Sequence, residues 1–339
     1  MKQDLRKGKR MNLKEMDAII DGLKKKDNFL ITAHVKPEGD SIGSQLAMLY
    51  LLEKLGKKAI IVNQDIVPDN LKFLPGTEKI QNEVPLGYIP EAVVFTDCPI
   101  RERAGSVDKC FDENIMIINV DHHVSNEYYG DINWVESGMS SVGEMAYHLI
   151  TRAGIELDDA IRRVIYTAII TDTGMFNYDN ASGMTHRVVG ELIDAGISPS
   201  AMHGEIFEQK PIESIRMLGK VLMTVETVEN DRIAYITLTR EMLTEEGLEG
   251  VSTEEFINYP RSIKGVEVAV FFNEAMWGPG AVNISFRSNG NVDVNKIASV
   301  FGGGGHKKAA GCFVKFGMEE AKDKVLAEVR KVVNSSGQV

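Results

Sequence analysis

Cysteine is scarce: the 339 residues hold three, Cys98, Cys110 and Cys312, an odd number with no CxxC pair. That excludes a disulfide framework and a structural zinc knuckle, and it fits a reducing compartment. No uninterrupted apolar run approaches the roughly 20 residues of a membrane span. The basic N-terminal stretch MKQDLRKGKRMNLKEMDAIIDGLKKK has no apolar h-region and reads as a helix with a solvated face. The expected address is therefore the cytoplasm, with no membrane partner. Positive charge is short too, 38 Lys and Arg against 49 Asp and Glu, for a formal net charge of −11. Non-specific nucleic-acid binding is largely phosphate neutralisation by Lys and Arg, so a protein that coats long DNA is disfavoured. Repeats and low-complexity tracts are absent. What remains is 43% hydrophobic and 26% charged, a globular composition long enough for two domains.

The runs Asn28–His34, Lys58–Asn63, Ala92–Asp97 and Ile115–Asp121 are short and almost continuously apolar, as strands covered on both faces are. Helical periodicity fills Gly39–Leu55, Ser140–Ala153, Leu157–Ile170 and Met184–Ala195. This alternation predicts an α/β domain with a mostly parallel sheet flanked by helices over residues 1–195. Pro199 and Pro211 interrupt the pattern and suggest a linker at 196–215. Residues 216–339 then read as a smaller α+β domain, with strands at Ile233–Thr239, Val266–Asn273, Ala281–Arg287 and Ala309–Lys315. Its helices fall near Glu254–Ile263, Val294–Phe301 and Glu319–Val333.

Carboxylates and imidazoles gather where strands end. His34 closes the first and is followed by Glu38 and Asp40; Asp97 closes the third; Asp121, His122 and His123 close the fourth; Asp172 follows an apolar helix. The carboxyl ends of parallel strands converge on one edge, so these residues can surround a common site. Imidazole with several carboxylates and no thiolate suits Mn²⁺, Mg²⁺ or Fe²⁺. Two such ions would neutralise the cluster and suit an in-line phosphoryl displacement. Taken singly, each residue has a plainer reading: Asp40 as a helix cap, Asp97 or Asp172 as a turn former. His148, His186 and His203 lie at no strand end and read as ordinary core or surface residues. The glycines Gly302–Gly305 follow a helix and exceed what a C-cap needs, so their backbone N–H groups are candidates for an anion or a base.

The segments TAHVKPEGDSIGS, FTDCPIRERAG, NVDHHVSN and TAIITDTGMF resemble, in order, the four motifs of the DHH phosphoesterase superfamily. NISFRS and FGGGGHKKAAG resemble the signature of its companion DHHA1 domain. The tandem without further domains is similar to the bacterial nanoRNase/pAp phosphatase group. That resemblance implies an active site in the cleft between the two domains. One metal would be held by His34, Glu38 and Asp97, the other by Asp40, Asp97, His122 and Asp172, with Asp97 bridging. His123 would face the substrate phosphate, Asp121 would orient its neighbours, and Arg287, Gly302, Gly303, Gly304, Gly305 and His306 would hold the nucleotide. Arg101 and Arg103 are candidates for phosphate contacts or for plain surface roles.

The function so implied is a two-metal phosphohydrolase, with Mn²⁺ as the favoured cofactor. It would cleave short oligoribonucleotides exonucleolytically and remove phosphate from 3′,5′-bisphosphate nucleotides such as pAp. Two alternatives stay open: a phosphodiesterase of linear or cyclic dinucleotides, and a weakened nucleotide-binding regulator. The second arises because Glu38 stands where the family has Asp; Gly39 beside it offers loop freedom to accommodate the longer side chain. A homodimer is compatible with the tandem design.

Overall fold

A near-continuous apolar run makes a strand that must be covered on both sides, and the first half of the chain answers with βα alternation. The computed structural model describes residues 12–112, 114–246, 253–274 and 280–336. The chain divides into two units, Met1–Gln209 and Lys210–Val339. The elements of the first are α1 (Leu13–Lys25), β1 (Asn28–Thr32), α2 (Gly39–Lys54), β2 (Lys58–Val62), β3 (Ile80–Gln81), β4 (Ala92–Thr96), β5 (Met116–Asp121), β6 (Ile132–Val135), α3 (Val142–Arg152), α4 (Asp159–Asp172), α5 (Gly183–Asp194) and α6 (Pro199–Phe207).

Among the described residues, six strands pair in the order β3-β2-β1-β4-β5-β6, and every pairing is parallel. The order reverses between β1 and β4. In open α/β sheets that switch point opens a crevice beyond the carboxyl ends of the strands, where ligands bind. Phe29, Leu30, Ile31, Val93, Val94 and Phe95 are fully buried in the two strands that flank it. The segment α1 turns Met16, Ile19, Ile20 and Leu23 inward, a spacing that leaves its basic residues on the opposite, wetted face.

Two strands of this unit escape the sequence pattern. β3 has two residues, and β6, INWV, is a short mixed run in which Trp134 alone is fully buried. The prolines read as linker signals open helices instead. Pro199 occupies the first turn of α6 behind the Ser198 cap, where a missing N–H costs nothing, and Pro211 is the N-cap of the next helix. Much of 196–215 is therefore helical.

The second unit contains α7 (Ile212–Leu222), β7 (Glu226–Val228), β8 (Ile233–Leu238), α8 (Arg240–Glu246), α9 (Asn258–Arg261), β9 (Val268–Asn273), β10 (Val282–Ser288), α10 (Val294–Val300), β11 (Gly304–His306), β12 (Ala309–Val314) and α11 (Met318–Ser336). Its described strands pair in the order β11-β12-β10-β9-β8-β7, antiparallel except for β8 with β9. Phe272, Phe286, Ile297, Val325 and Val329 pack one face, and Met217, Leu238, Phe256 and Phe271 the other. The single helix expected near Glu254–Ile263 is a 3-10 turn, Glu254–Ile257, followed by the short α9. Among the described residues no helix is long and apolar enough to cross a membrane.

Candidate metal centre

His34 leaves the end of β1 buried, its Nδ1 2.7 Å from the Val35 carbonyl. Its Nε2 faces Ser41 Oγ at 2.9 Å and Asp97 Oδ2 at 3.4 Å. Asp97 follows β4 with φ +53°, a left-handed conformation that an L-residue holds at a cost of about 1–2 kcal/mol. The surroundings impose it: the Asp97 amide still donates to Val120 O on β5 (3.0 Å), and Ser41 Oγ donates to Asp97 Oδ2 (3.0 Å). Strain retained in a buried carboxylate marks a functional constraint.

The histidines after β5 have separate tasks. His122 directs Nδ1 at the Met139 carbonyl (3.2 Å), which turns its Nε2 toward Asp97 Oδ1 (3.7 Å), Asp172 Oδ2 (3.7 Å) and Asp40 Oδ2 (3.9 Å). A second-nitrogen bond of that kind is how a ligating imidazole is oriented. His123 gives Nδ1 to Asp121 Oδ1 at 2.8 Å and stands 3.5 Å from Asp97 Oδ1. Asp121 is fully buried, and its other oxygen accepts from Asn126 Nδ2 at 2.7 Å.

Asp40 and Asp172 come from helices. Asp40 lies in the first turn of α2, buried, and accepts the Val142 and Gly143 amides of α3 at 2.7 and 2.8 Å. Asp172 ends α4 and accepts from Asn180 Nδ2 at 3.2 Å. The helices approach because their contact is made of glycine. A Cβ on Gly39 would lie 2.3 Å from Thr171 Oγ1, and one on Gly143 would lie 2.2 Å from the Ala168 Cβ. Gly39 is thus a helical residue chosen for close packing; it supplies no loop freedom beside Glu38.

Ligand atoms converge in two groups that share His122: Asp97, His122 and His123, and Asp40, His122 and Asp172. His34 joins through its contact with Asp97. Neither group includes Glu38, which is exposed at the N-cap of α2, its amide donating to Ser41 Oγ at 3.3 Å.

The electrostatics describe a cage that wants positive charge. Burial, then the charges of Asp97 and Asp172, raises the Asp40 carboxyl well above its ordinary range. Asp172 is raised by burial and by Asp97 and Glu38, although 31% of its side chain remains exposed. Burial works against His34 and His122, yet the adjoining carboxylates raise both imidazoles. Burial also opposes ionisation of Asp97, but the His34 hydrogen bond and the three histidine charges prevail and lower its pKa. Asp97 Oδ1 is buried without a hydrogen-bond donor among the described residues. An orphaned carboxylate oxygen amid imidazoles and carboxylates fits hard or borderline divalent cations coordinated by N and O. No thiol competes: Cys98 donates to Ile100 O, and burial pushes its pKa up to about 12.

Sequence reading missed Ser41, Asn126, Asn180 and the turn at 139–143. Ser141 and Glu144 carry a visible S-x-x-E capping signal, and Ser141 does cap α3. Nothing in the sequence ties that cap to Asp40, about a hundred residues earlier. Arg101 is occupied by Asp108 and lies over the Phe111 ring, whereas Arg103 is exposed and close enough for its charge to oppose the rise in the His34 pKa.

In the second unit, Arg287 lies on the strand face opposite the buried Phe286, its Nη1 3.1 Å from the Phe286 carbonyl. The glycine run has packing reasons of its own. Gly302 has φ +72° after α10, a Cβ on Gly303 would meet Gly311 O at 2.2 Å, and Gly305 has φ +145°. Gly304 and His306 pair with Gly311 and Ala309 on β12; the His306 side chain lies outside those described.

Residues 28–171 match the DHH family, N-terminal domain, and residues 230–335 match the DHHA1 domain. The bifunctional oligoribonuclease and PAP phosphatase NrnA of Thermus thermophilus is 30% identical over 308 residues, 91% of this chain and 90% of that protein. The protein of the same name from Bacillus subtilis is 28% identical over 306 residues, 89% of this chain and 94% of that one. Among solved structures, an exopolyphosphatase-related protein from Bacteroides fragilis superposes with a TM-score of 0.88. It is 26% identical, over 96% of this chain and 98% of the other.

Proposed function

Since the chain belongs to the DHH phosphoesterase family, with a DHHA1 domain, we propose that it is a two-metal phosphohydrolase of very short oligoribonucleotides and of pAp. The observation that carries this reading is the convergence of donor atoms from Asp40, Asp97, His122 and Asp172, with His34 against Asp97. The two relatives named for both activities align over about nine tenths of their lengths. In the proposed assignment His34, Glu38 and Asp97 would hold one ion, and Asp40, Asp97, His122 and Asp172 the other, with Asp97 common to both. Mn²⁺ is the proposed ion and the cytoplasm the proposed location.

Two divalent ions in this cage would supply water activation and charge neutralisation for attack on phosphorus. The side chains do the rest. Asp121 fixes the His123 ring through Nδ1, orienting its far edge for a phosphoryl oxygen and for stabilisation of developing charge. Ser41 and Met139 orient Asp97 and His122, so that the ligand set is assembled before substrate arrives. Arg287 and the loop Gly302–His306 are proposed to hold the nucleotide portion, the guanidinium by forked pairing with phosphate. A net charge of −11 favours substrates with few phosphates over long strands.

The test is turnover by purified protein with Mn²⁺ on pAp, on di- to pentaribonucleotides and on linear and cyclic dinucleotides. Release of phosphate from pAp and of mononucleotides from the short RNAs supports the reading. A clear preference for dinucleotide signals would reassign the substrate. Hydrolysis of nothing on the panel would overturn the enzyme and favour a nucleotide-binding regulator. Asp97→Ala should abolish activity without unfolding the chain; normal rates in that variant would refute the bridging assignment.

A further inference from the structure

Behind the cage, the turn Met139–Gly143 reaches three of the ligand side chains. The Met139 carbonyl accepts from His122 Nδ1 at 3.2 Å. The Val142 and Gly143 amides donate to the two oxygens of Asp40 at 2.7 and 2.8 Å. The Ser140 carbonyl accepts from Asn180 Nδ2 at 2.8 Å, and the same nitrogen lies 3.2 Å from Asp172 Oδ2. One short piece of backbone therefore sets three donors that come from a strand end and two helices.

Glu144 pins that piece. It is fully buried, and its Oε2 accepts from Ser140 N at 3.0 Å, Ser140 Oγ at 2.5 Å and Thr185 Oγ1 at 2.9 Å. Its own amide donates to Ser141 Oγ at 3.0 Å. Capping α3 does not require the carboxylate, because Ser141 already caps it. A buried carboxylate carries a desolvation penalty of several kcal/mol in general, so its retention calls for a role beyond the cap.

We propose that Glu144 is a positioning residue for the metal centre: by clamping the turn Met139–Gly143 it holds His122, Asp40 and, through Asn180, Asp172 in ligating geometry. This rests on the two-ion reading above. Tolerances separate the effect from folding. Hydrogen bonds survive shifts of a few tenths of an ångström, since their lengths range over about 2.7–3.2 Å. Metal–ligand distances are held to about ±0.2 Å, so a loosened turn harms ion binding before it harms the fold. Glu144→Gln keeps the size but sets an amide NH₂ either against the three donors or in the place of Oε1, which has no hydrogen-bond partner among the described residues. Ser140→Ala removes one of those three donors and leaves the backbone intact.

Calorimetric titration of Mn²⁺ into the metal-stripped wild type, Glu144→Gln, Ser140→Ala and Asp97→Asn tests this, alongside thermal melts of the same proteins in EDTA. Glu144→Gln should bind Mn²⁺ about 10–100-fold more weakly, the usual loss when a partner of a ligand is removed. Ser140→Ala should lose less, and its melt should match the wild type. The Mn²⁺ concentration for half-maximal turnover should rise in step, with kcat recovering at saturating Mn²⁺. Wild-type affinity in both turn variants would overturn the proposal. So would unfolding of Glu144→Gln together with normal Mn²⁺ binding by folded Ser140→Ala, which would make the clamp purely structural. If the wild type itself bound no Mn²⁺, or Asp97→Asn bound it normally, the two-ion assignment would be at fault first, and this inference would fall with it.

Discussion

A Cβ on Gly43 would stand 2.5 Å from the carbonyl oxygen of Val164, closer than any real Cβ packs against backbone. That contact sets the spacing of α2 and α4, and hence the separation of Asp40 from Asp172. Gly43→Ala should force the helices apart. The expected loss is about 1–3 kcal/mol, typical of overpacking and larger than the helix-propensity gain of just under 1 kcal/mol. Denaturant melts should show it, and Mn²⁺ affinity should fall with it. The contrasting variant is Gly190→Ala in α5, where a Cβ meets nothing within 4 Å. It should stabilise the protein slightly and leave metal binding alone. Equal stability of the two variants would remove the argument from close approach.

His123 depends on a chain of amides. Asn126 Nδ2 donates to Asp121 Oδ2 at 2.7 Å and to Asn119 Oδ1 at 2.8 Å, while Asn119 Nδ2 reaches Tyr129 OH at 3.1 Å. Asn126→Ala leaves a fully buried carboxylate short of a donor and releases the ring it orients. The expected result is a fall in kcat of about 10-fold or more, within the range seen when orienting partners are removed. Mn²⁺ affinity should change little, because in the proposed assignment His123 serves the substrate phosphate and neither Asn126 nor Asp121 holds an ion. Steady-state kinetics at saturating Mn²⁺ separates the two; a variant defective only in Mn²⁺ affinity would reassign Asn126 to the metal shell.

Most of the strand framework was legible because its residues are buried on both faces and so carry no polar alternation; β1, β4 and β5 lie within the apolar runs that the sequence marks. His34, Asp97 and His122 were legible for a related reason, since a parallel strand delivers whatever follows it to one edge of the sheet. Asp172 was harder. It ends a helix, and its approach to Asp40 depends on Gly39, Gly43 and Gly143 yielding space to residues far away in sequence. Glu144 was visible only as part of a helix cap, because its hydrogen bonds to Thr185 and to the turn are tertiary. In the other direction, the glycines 302–305 looked richer than a cap requires. The cap at Gly302, the contact at Gly303 and the left-handed φ of Gly305 account for three of the four without a ligand.

Glu38 stands where the resembled motif carries Asp, and its side chain and amide form a capping box with Ser41. The side chain is exposed at the start of α2, yet its charge raises the pKa of Asp172. As an ion ligand it would have to turn inward from the N-cap. Glu38→Ala should then reduce the Mn²⁺ stoichiometry in calorimetry from two ions to one and lower turnover by about 100-fold, or some 2.7 kcal/mol of transition-state stabilisation. Glu38→Asp should retain both ions. Two ions bound with wild-type affinity by Glu38→Ala would exclude Glu38 from the ligand set.

The pH dependence of stability can be read away from the metal cage, at the other end of α4. Asp158 caps that helix, accepting the Ile161 amide at 3.1 Å, and pairs with Lys54 of α2 at 2.8 Å. Burial pushes its carboxyl upward, but the Lys54 hydrogen bond and the Ile161 amide outweigh burial and lower its pKa. A carboxyl depressed on folding contributes stability that is present above its unfolded pKa, near 4, and is lost as pH falls through the lower folded value. Asp158→Ala should therefore cost about 1 kcal/mol near neutrality, chiefly from the lost cap, since the exposed ion pair adds little. The gap between wild type and variant should narrow as the pH drops below about 4. Urea melts of both proteins at a series of pH values check this. A gap that stayed constant into that acid range would show that the ionised carboxylate is not what caps the helix.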